Sequence, residues 1–358
     1  MAHNALGRLL RCRSPNALQQ SISLIQKRAW SARSIPSFMP TSSRELNDTL
    51  NRFRDELFIP HALNDNQRNL MYKSRHQHKI QEHPIVVPIG EKEEPYQLRP
   101  IDPFKTPTRK DAVRVINLMA ETRNWSNLVI FLTGLYKSGM SLRNRQFERL
   151  IRKAGETNGL GPLLMAAQQA KETHLTLDDT HRVDRLFFQL HLEAQQTDFT
   201  GPELLKILRI AKSFVVLMEA PEHAVAEPER DPKRAPLVAA TLLELSAASA
   251  LAGQNTVVVS GLESLVQRLA ASLKAANLST SERSWVALDH LLQQLVPAYN
   301  GLKLALKVDG ITSNRAVAQQ ARSSMNEVGA IIGKIKSAPP EHVVEKPTIG
   351  LIQAQLLH

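Results

Sequence analysis

The strongest chemical signal in the sequence is a cluster of basic side chains in one short stretch. Its members are Arg143, Arg145, Arg149, Arg152 and Lys153. On a helix, Arg145, Arg149 and Arg152 are separated by four and three residues, so their guanidinium groups share one face. Such a row favours contact with an RNA backbone, because each cation neutralises a phosphate and releases counterions. Contact with a protein partner and an ordinary solvated helix face are the two alternatives.

Three histidines close together, His76, His78 and His83, are the candidate metal ligands of the chain. A metal site needs ligands that converge on one point, usually with others from elsewhere in the chain. The stretch around these histidines indicates an exposed, extended arm. We therefore predict no metal site, and we expect the basic arm to suit RNA or an acidic partner.

The sequence lacks the motifs by which common enzymes bind phosphates or build nucleophiles. Glycine-rich dinucleotide loops, Gly-Lys-Ser/Thr loops, Gly-x-Ser-x-Gly elbows and His-Glu-x-x-His pairs do not occur. No pair of carboxylates is convincingly placed for acid–base catalysis. The single cysteine, Cys12, excludes Cys-ligated zinc and iron–sulfur clusters if it leaves with a presequence. We predict a protein that is not an enzyme and has no cofactor.

The N-terminus has the composition of a mitochondrial transit peptide. No Asp or Glu precedes Glu45, whereas Arg, Ser and Ala are frequent. Arg28, Trp30 and Ser31 resemble a presequence cleavage pattern, so we predict a cut after Trp30 and a location in the mitochondrial matrix. No apolar run approaches the roughly 18 residues of a membrane span, which leaves a peripheral position at the inner membrane open.

The net charge of +11 overstates how basic the mature protein is. Residues 45–358 hold 38 Lys and Arg against 34 Asp and Glu. A nucleic-acid function must therefore depend on local clusters and not on overall charge.

Apolar residues at helical spacing predict an all-α fold from residue 109 onward. A short helix is also predicted at 42–58, followed by an extended, Pro-rich arm in which 85–90 is a candidate edge strand. We expect Pro297 to break the helix predicted at 281–306. The predicted segments are the presequence 1–30, the short helix and arm 31–108, helical repeats 109–218, a linker 219–236, a helical region 237–338 and a loosely held tail 339–358.

Similar residue groups recur at a spacing of about 35 residues. Glu148-Arg149-Leu150 returns as Asp184-Arg185-Leu186, and Leu128-Val129 matches Leu163-Leu164. A helix–turn–helix unit of this length that stacks on its neighbours builds an α-solenoid. An ordinary helical bundle with chance periodicity is the alternative.

Residues 124–151 resemble the boundary between two pentatricopeptide (PPR) repeats. Lys137, Gly139 and Met140 match the Lys-x-Gly-aliphatic turn of that family, and Phe147 matches the aromatic of the next first helix. The resemblance covers about 109–200. It implies stacked helical hairpins, PPR- or TPR-like, whose first helices line a concave surface facing RNA.

The sequence departs from the PPR pattern at positions that matter for reading bases. Leu142 replaces the usual Pro, Arg143 the usual Asp and Glu148 the base-reading Asn. In the second unit His174 replaces the Gly. The resemblance therefore implies the hairpins but not base-by-base RNA recognition.

Three functional hypotheses follow from these features, of which the third, a divergent enzyme, needs a deep polar pocket that the sequence does not indicate. The first is a protein associated with mitochondrial RNA or the mitochondrial ribosome, supporting mitochondrial gene expression. The second is a helical scaffold or assembly factor for a respiratory-chain complex, which the small excess of positive charge after residue 44 favours.

Overall fold

The computed structural model describes residues 35–357 other than 90–93, 254–258 and 282. The predicted presequence, with Arg28, Trp30 and Ser31, lies outside the described residues. The chain divides into two compact units, each described by itself. Among the described residues, the first comprises 35–37 together with 53–106, and the second comprises 38–52 with 107–357.

The all-α prediction is confirmed. The helices are α1 Arg44–Phe53, α2 Ile59–Ala62, α3 Asp65–Tyr72, α4 Ser74–Glu82, α5 Arg109–Glu121, α6 Leu128–Lys137, α7 Asn144–Glu156, α8 Leu160–Gln168, α9 Ala170–Thr173, α10 Thr180–Gln195, α11 Gly201–Leu217, α12 Pro236–Leu251, α13 Val259–Ala275, α14 Trp285–Ala305, α15 Asp309–Ser313, α16 Arg315–Lys336, α17 Glu341–Glu345 and α18 Ile349–Leu356. The strands are β1 Val86–Ile89 and β2 Glu94–Gln97, and shorter turns are the π-helical Arg54–Phe58 and the 3-10 segments Pro103–Lys105, Pro228–Arg230 and Pro232–Arg234.

The first unit corrects the prediction of an extended arm. Residues 59–82 form α2, α3 and α4, and the candidate strand at 85–90 is present as β1, antiparallel to β2. Asn64 and Gln67 form a reciprocal capping box that starts α3. The apolar side chains of this unit are spaced too irregularly to form one helical stripe. Those of the helices and of the β-hairpin together form a small core, which includes Met71, Ile80 and Val87.

The second unit begins with helices arranged in two rows. The first row is α5, α7 and α10, in which each helix packs on the next. The second row is α6, the pair α8–α9, and α11. The first-row helices start at residues 109, 144 and 180. Gly155 allows α7 and α10 to approach closely, because an added Cβ would lie 2.6 Å from the Cβ of Gln189.

Local signals in the sequence fix where these helices begin and end. Thr108 and Asp111 form a capping box at the start of α5. Gly139 adopts a φ of +73° just after α6, a conformation that favours glycine. The N–H of Met140 then donates to the Leu135 carbonyl at 2.9 Å, which satisfies one of the last helical acceptors.

The C-terminal helices surround α12, of which fourteen of sixteen residues are buried. α12 packs on α10 and α11 on one side and on α13 and α14 on the other. Gly301 of α14 lies so close to α12 that an added Cβ would be 3.0 Å from the Glu244 backbone nitrogen.

Two predictions for this region were wrong. α14 continues through Pro297, because packing of this buried helix against α12, α16 and α18 outweighs the hydrogen bond that proline removes. The tail is not loosely held either. It forms α17 and α18, and Leu351 and Ala354 are buried in the core of the C-terminal helices.

Candidate nucleic-acid interface

The predicted arginine row lies on α7, with its first members exposed. Arg143 precedes the helix, and its backbone N–H donates to Gln146 Oε1 at 2.9 Å. Arg145 and Arg149 are exposed, whereas Phe147 between them is buried against the core. The helix therefore turns its apolar side inward and presents these guanidinium groups to solvent.

The positive charges of Arg152 and Lys153, the last two residues of the basic cluster, are partly neutralised. Arg152 Nη1 donates to Glu156 Oε1 at 3.0 Å, and Lys153 Nζ donates to the other oxygen of the same carboxylate at 2.9 Å. All three side chains are half-buried, between 30 and 41% exposed. One carboxylate thus offsets part of two positive charges, and the remaining positive charge is concentrated toward the N-terminal half of α7.

The basic surface extends from α7 to α5. Arg149 Nη2 donates to Asn117 Oδ1 of α5 at 3.2 Å, which brings the two helices' outer faces together. Lys110 and Arg114 are exposed on α5, and Arg114 is paired with Glu45 of α1. Residues 109–156 carry ten Lys and Arg against four Asp and Glu, so the positive charge of the second unit is concentrated in α5 to α7 and their connections. Such a surface can hold a phosphate backbone by charge and hydrogen bonds.

A cleft lies where α7 and α10 of the first row meet α14. Its lining includes Glu148, His181, Asp184, Arg185 and His290. The space is about 340 Å³ with its open mouth included.

Burial shifts the pKa of three ionisable side chains in this cleft. Burial raises the pKa of Asp184 to about 6, against which a hydrogen bond from Gln294 Nε2 at 2.8 Å acts only in part. Burial also lowers the pKa of Arg185, whose Nη1 donates to Gln293 Oε1 at 3.2 Å. Burial is the main cause that lowers the pKa of His290 as well.

A buried polar group joins α10 to the C-terminal helices. His191 and Glu244 are 1 and 0% exposed, with His191 Nδ1 2.8 Å from Glu244 Oε2. Asn300 Nδ2 donates to Glu244 Oε1 at 2.6 Å. The rings of Phe188 and Phe199 lie against the imidazole. The group fixes three helices relative to one another inside the core.

Sequence reasoning named the arginine row but missed the cleft and the buried pair. The repeat alignment contained a signal for the cleft, since Glu148 and Asp184 occupy equivalent positions in successive units. Glu244 is the only ionisable residue of α12, and a lone carboxylate in an apolar helix needs a buried partner.

The histidines of the first unit do not form a metal site in the structure. His78 Nδ1 lies 3.0 Å from Glu82 Oε2, and Arg75 Nε donates to His76 Nε2 at 3.1 Å. Across the part of the chain that the structure describes, no three His, Cys, Asp or Glu side chains come together as metal ligands would. Over the same residues, no helix has the length and apolarity needed to cross a membrane.

Comparison with known proteins adds a family assignment to this geometry. The family model described as Mrp13, mitochondrial ribosomal protein mS27, matches residues 23–355. The small ribosomal subunit protein mS27 of Neurospora crassa is 22% identical to this chain over 193 residues. The aligned part covers 54% of this chain and 49% of the relative, so the chain spans about half the length of the curated relative that it matches.

Proposed function

The chain belongs to the mitochondrial ribosomal protein mS27 family, and we therefore propose that it is a non-enzymatic component of the mitochondrial ribosome's small subunit. The observation that carries the proposal is the family match over nearly the whole chain. Membership in a ribosomal protein family favours the ribosomal hypothesis over that of a respiratory-chain scaffold. It also agrees with the prediction that the protein is not an enzyme.

The proposal places the protein in the mitochondrial matrix, as the acid-free, Arg-rich N-terminus predicts. Cleavage after Trp30 stays a prediction, which the N-terminal sequence of the mature protein tests. A peripheral position at the inner membrane is also still a prediction, and extraction of mitochondrial membranes with salt tests it.

We propose further that residues 109–217 are a degenerate PPR-like array. The spacing of its first-row helix starts, at 109, 144 and 180, supports a repeat of about 35 residues. The exposed positions of Arg145 and Arg149 support a role for this row in contacting ribosomal RNA. Arg143, Arg152 and Lys153 complete the candidate surface, with Arg152 and Lys153 contributing less because they share Glu156.

The recognition we propose is of the RNA backbone and not of base sequence. Arginine forks bind phosphate oxygens in pairs, and such contacts position a protein without reading sequence. Glu148 at the family's base-reading position is acidic, which agrees with this limit.

The test replaces Arg145, Arg149 and Arg152 with Glu and follows the protein through a sucrose gradient of mitochondrial lysate. We expect the wild-type chain to migrate with the small subunit and to leave that position after RNase treatment. The triple variant is expected to shift toward the free fractions. For RNA binding by the purified chain, log K falls as log salt rises, and the magnitude of this slope should decrease by about two to three in the triple variant. The reason is that each arginine that is replaced leaves one phosphate without its cation.

The matched control carries the same charge change on the second row, as Lys171, Lys206 and Arg209 to Glu. These residues are exposed on α9 and α11, which belong to the second row of helices. If both triple variants bind the ribosome like the wild type, the arginine row has no role in RNA contact. Migration of the wild-type chain with a respiratory complex at an RNase-resistant position would contradict the ribosomal proposal itself.

A further inference from the structure

Two aromatic rings are stacked on the surface of the repeat segment. Tyr136, in the last turn of α6, and His174, directly after α9, have ring centroids 4.9 Å apart and an angle of 2° between their planes. This is the geometry of a stacked aromatic pair. Both side chains are exposed, Tyr136 to 41%. The pair therefore offers aromatic surface to solvent and does not belong to the core.

His174 stands where a glycine would suit the backbone better. It follows Gly139 by 35 residues, and both residues come directly after a second-row helix or its final turn with a positive φ, +73° for Gly139 and +58° for His174. A side chain is disfavoured in this left-handed conformation, although histidine adopts it more often than most residues. The imidazole that replaces the glycine hydrogen stacks on Tyr136. The flat exposed pair is thus what this residue adds to the turn.

The stacked pair lies at the end of the helices from which the arginine row starts. The turn 138–143 joins α6 to α7, and the turn 174–179 joins α9 to α10. Asn144 Nδ2 donates to Asp179 Oδ2 at 3.2 Å, which holds the two turns side by side. Arg143, exposed at the end of the first turn, therefore lies at the same end of the array as the two rings.

The charges near the pair favour RNA as the ligand. Lys137, next to Tyr136 in the chain, is exposed, as is Arg143. Lys171 of α9 is paired with Glu222 at 2.7 Å, so its charge is largely offset. Exposed rings beside exposed cations are the combination that binds single-stranded RNA, because bases stack on the rings while the cations hold the backbone. An apolar protein surface would offer these cations no anion.

We infer that one unpaired base of ribosomal RNA stacks on the Tyr136–His174 pair while the arginine row holds the adjoining backbone. This contact depends on the proposed function, RNA binding by the arginine row, and adds a base to the phosphates. Every base has a π-face, so stacking does not read sequence. It selects RNA that is single-stranded at this point.

The experiment measures binding of the full chain to two probes of equal charge by fluorescence anisotropy. One probe is an oligoadenylate of about twelve nucleotides, and the other is a ribose-phosphate chain of the same length without bases. We expect the oligoadenylate to bind at least about fivefold more tightly, since stacking adds affinity that the backbone alone does not supply.

Variants assign this preference to the two rings. His174→Gly removes the imidazole and suits the left-handed backbone, so the fold is retained. Tyr136→Ala removes the other ring, whereas Tyr136→Phe keeps it. The preference for oligoadenylate should fall by about threefold or more in His174→Gly and in Tyr136→Ala, and it should persist in Tyr136→Phe. As the matched control, Phe104→Ala removes a ring that is 97% exposed in the first unit and should leave the preference unchanged.

Equal affinity for the two probes would overturn the inference and leave the backbone contact of the arginine row standing. A preference that survives both His174→Gly and Tyr136→Ala would overturn it too. If neither probe binds to the wild-type chain, the proposed RNA contact and the stacked base fail together. If the two ring variants keep the wild-type affinities for both probes but leave the small subunit in a sucrose gradient, the pair contacts a protein and the inference is wrong.

Discussion

The repeat segment 109–217 and the C-terminal helices 236–356 use helices in opposite ways. In the repeat segment α5 and α7 each bury one stripe and leave charged side chains to solvent, as α7 does with Phe147 inside and Arg145 outside. In the C-terminal region α12 is buried on nearly every side and carries one ionisable residue, Glu244. The first region is therefore suited to present charged groups to a partner, whereas the second holds its neighbours in place.

The largest effect should come from the buried pair that links the two regions. Glu244→Ala leaves His191 and Asn300 without their acceptor in the core, so we expect a loss of about 3–5 kcal/mol in the free energy of unfolding. Urea denaturation measures it. The double variant His191→Leu, Glu244→Leu removes both polar groups and should recover much of the loss. If the double variant is as unstable as the single one, the His191–Glu244 pair does not explain the loss of stability.

The second test concerns the ionisable group that burial affects most strongly in the first-row helices. The pKa of Asp184 in the folded protein, about 6, lies above its ordinary value of 3.8. The folded state therefore binds the proton more tightly, and stability is present below about pH 4 and is lost as pH rises through about 6. The full change is about 3 kcal/mol.

Asp184→Asn should remove this dependence, so that the variant gains on the wild type as pH rises from about 4 to 7. Urea midpoints across that range measure the difference. Glu121→Gln, at an exposed carboxylate at the end of α5, serves as the control and should keep the slope of the wild type. Parallel curves for the wild type and Asp184→Asn would show that burial does not raise the pKa of Asp184.

The third test asks how tightly the C-terminal helices are packed. Gly301→Ala places a methyl group 3.0 Å from the Glu244 nitrogen and 3.1 Å from the Ala240 carbonyl oxygen, both backbone atoms. We expect a loss of about 1–3 kcal/mol. Gly333→Ala in α16 meets nothing within 4 Å and should instead gain up to about 1 kcal/mol from helix propensity. Thermal unfolding of the two variants decides, and equal midpoints would contradict close packing at Gly301.

The smallest expected effects are at the helix caps, one in each region. Thr108→Ala removes the cap of α5, and Asn314→Ala removes that of α16. Each should cost about 1 kcal/mol. Asn314 should cost more, because its Nδ2 also donates to Glu263 Oε1 of α13 at 3.0 Å. Chemical denaturation of both variants compares the regions directly, and a larger loss at Thr108 would go against the tighter C-terminal packing.

The sequence was informative where one helix carries its own pattern. The helical spacing of apolar residues from residue 109 onward predicted an all-α region, in which α5, α7 and α10 each bury such residues. Pro297 misled, because a proline's local cost does not reveal how much packing the surrounding helices supply. The helices at 59–82 were missed for the opposite reason, since their apolar residues form no stripe and only meet in a shared core.

The site was predictable only in part. The arginine row is local, with members three and four residues apart, so its shared face follows from helix geometry. The cleft joins Glu148, Asp184 and His290, whose proximity depends on how α7, α10 and α14 pack. His191 and Glu244 are 53 residues apart, and nothing in either local sequence specifies the other.

The burial of α12 has a further consequence for how the array loosens. Units of a repeat protein are held by their neighbours alone, so fraying begins at ends that lack a cap. The hairpin α10–α11 is packed against α12 and cannot separate without opening the core of the C-terminal helices. At the opposite end α5 and α6 are covered by a shorter segment, 38–52, in which the Met39 backbone bonds to Asn127. We therefore expect hydrogen exchange to be faster in α5 and α6 than in α10. The end of the helical region that carries its positive charge would then be the more mobile one, and the end that packs on α12 the more rigid one.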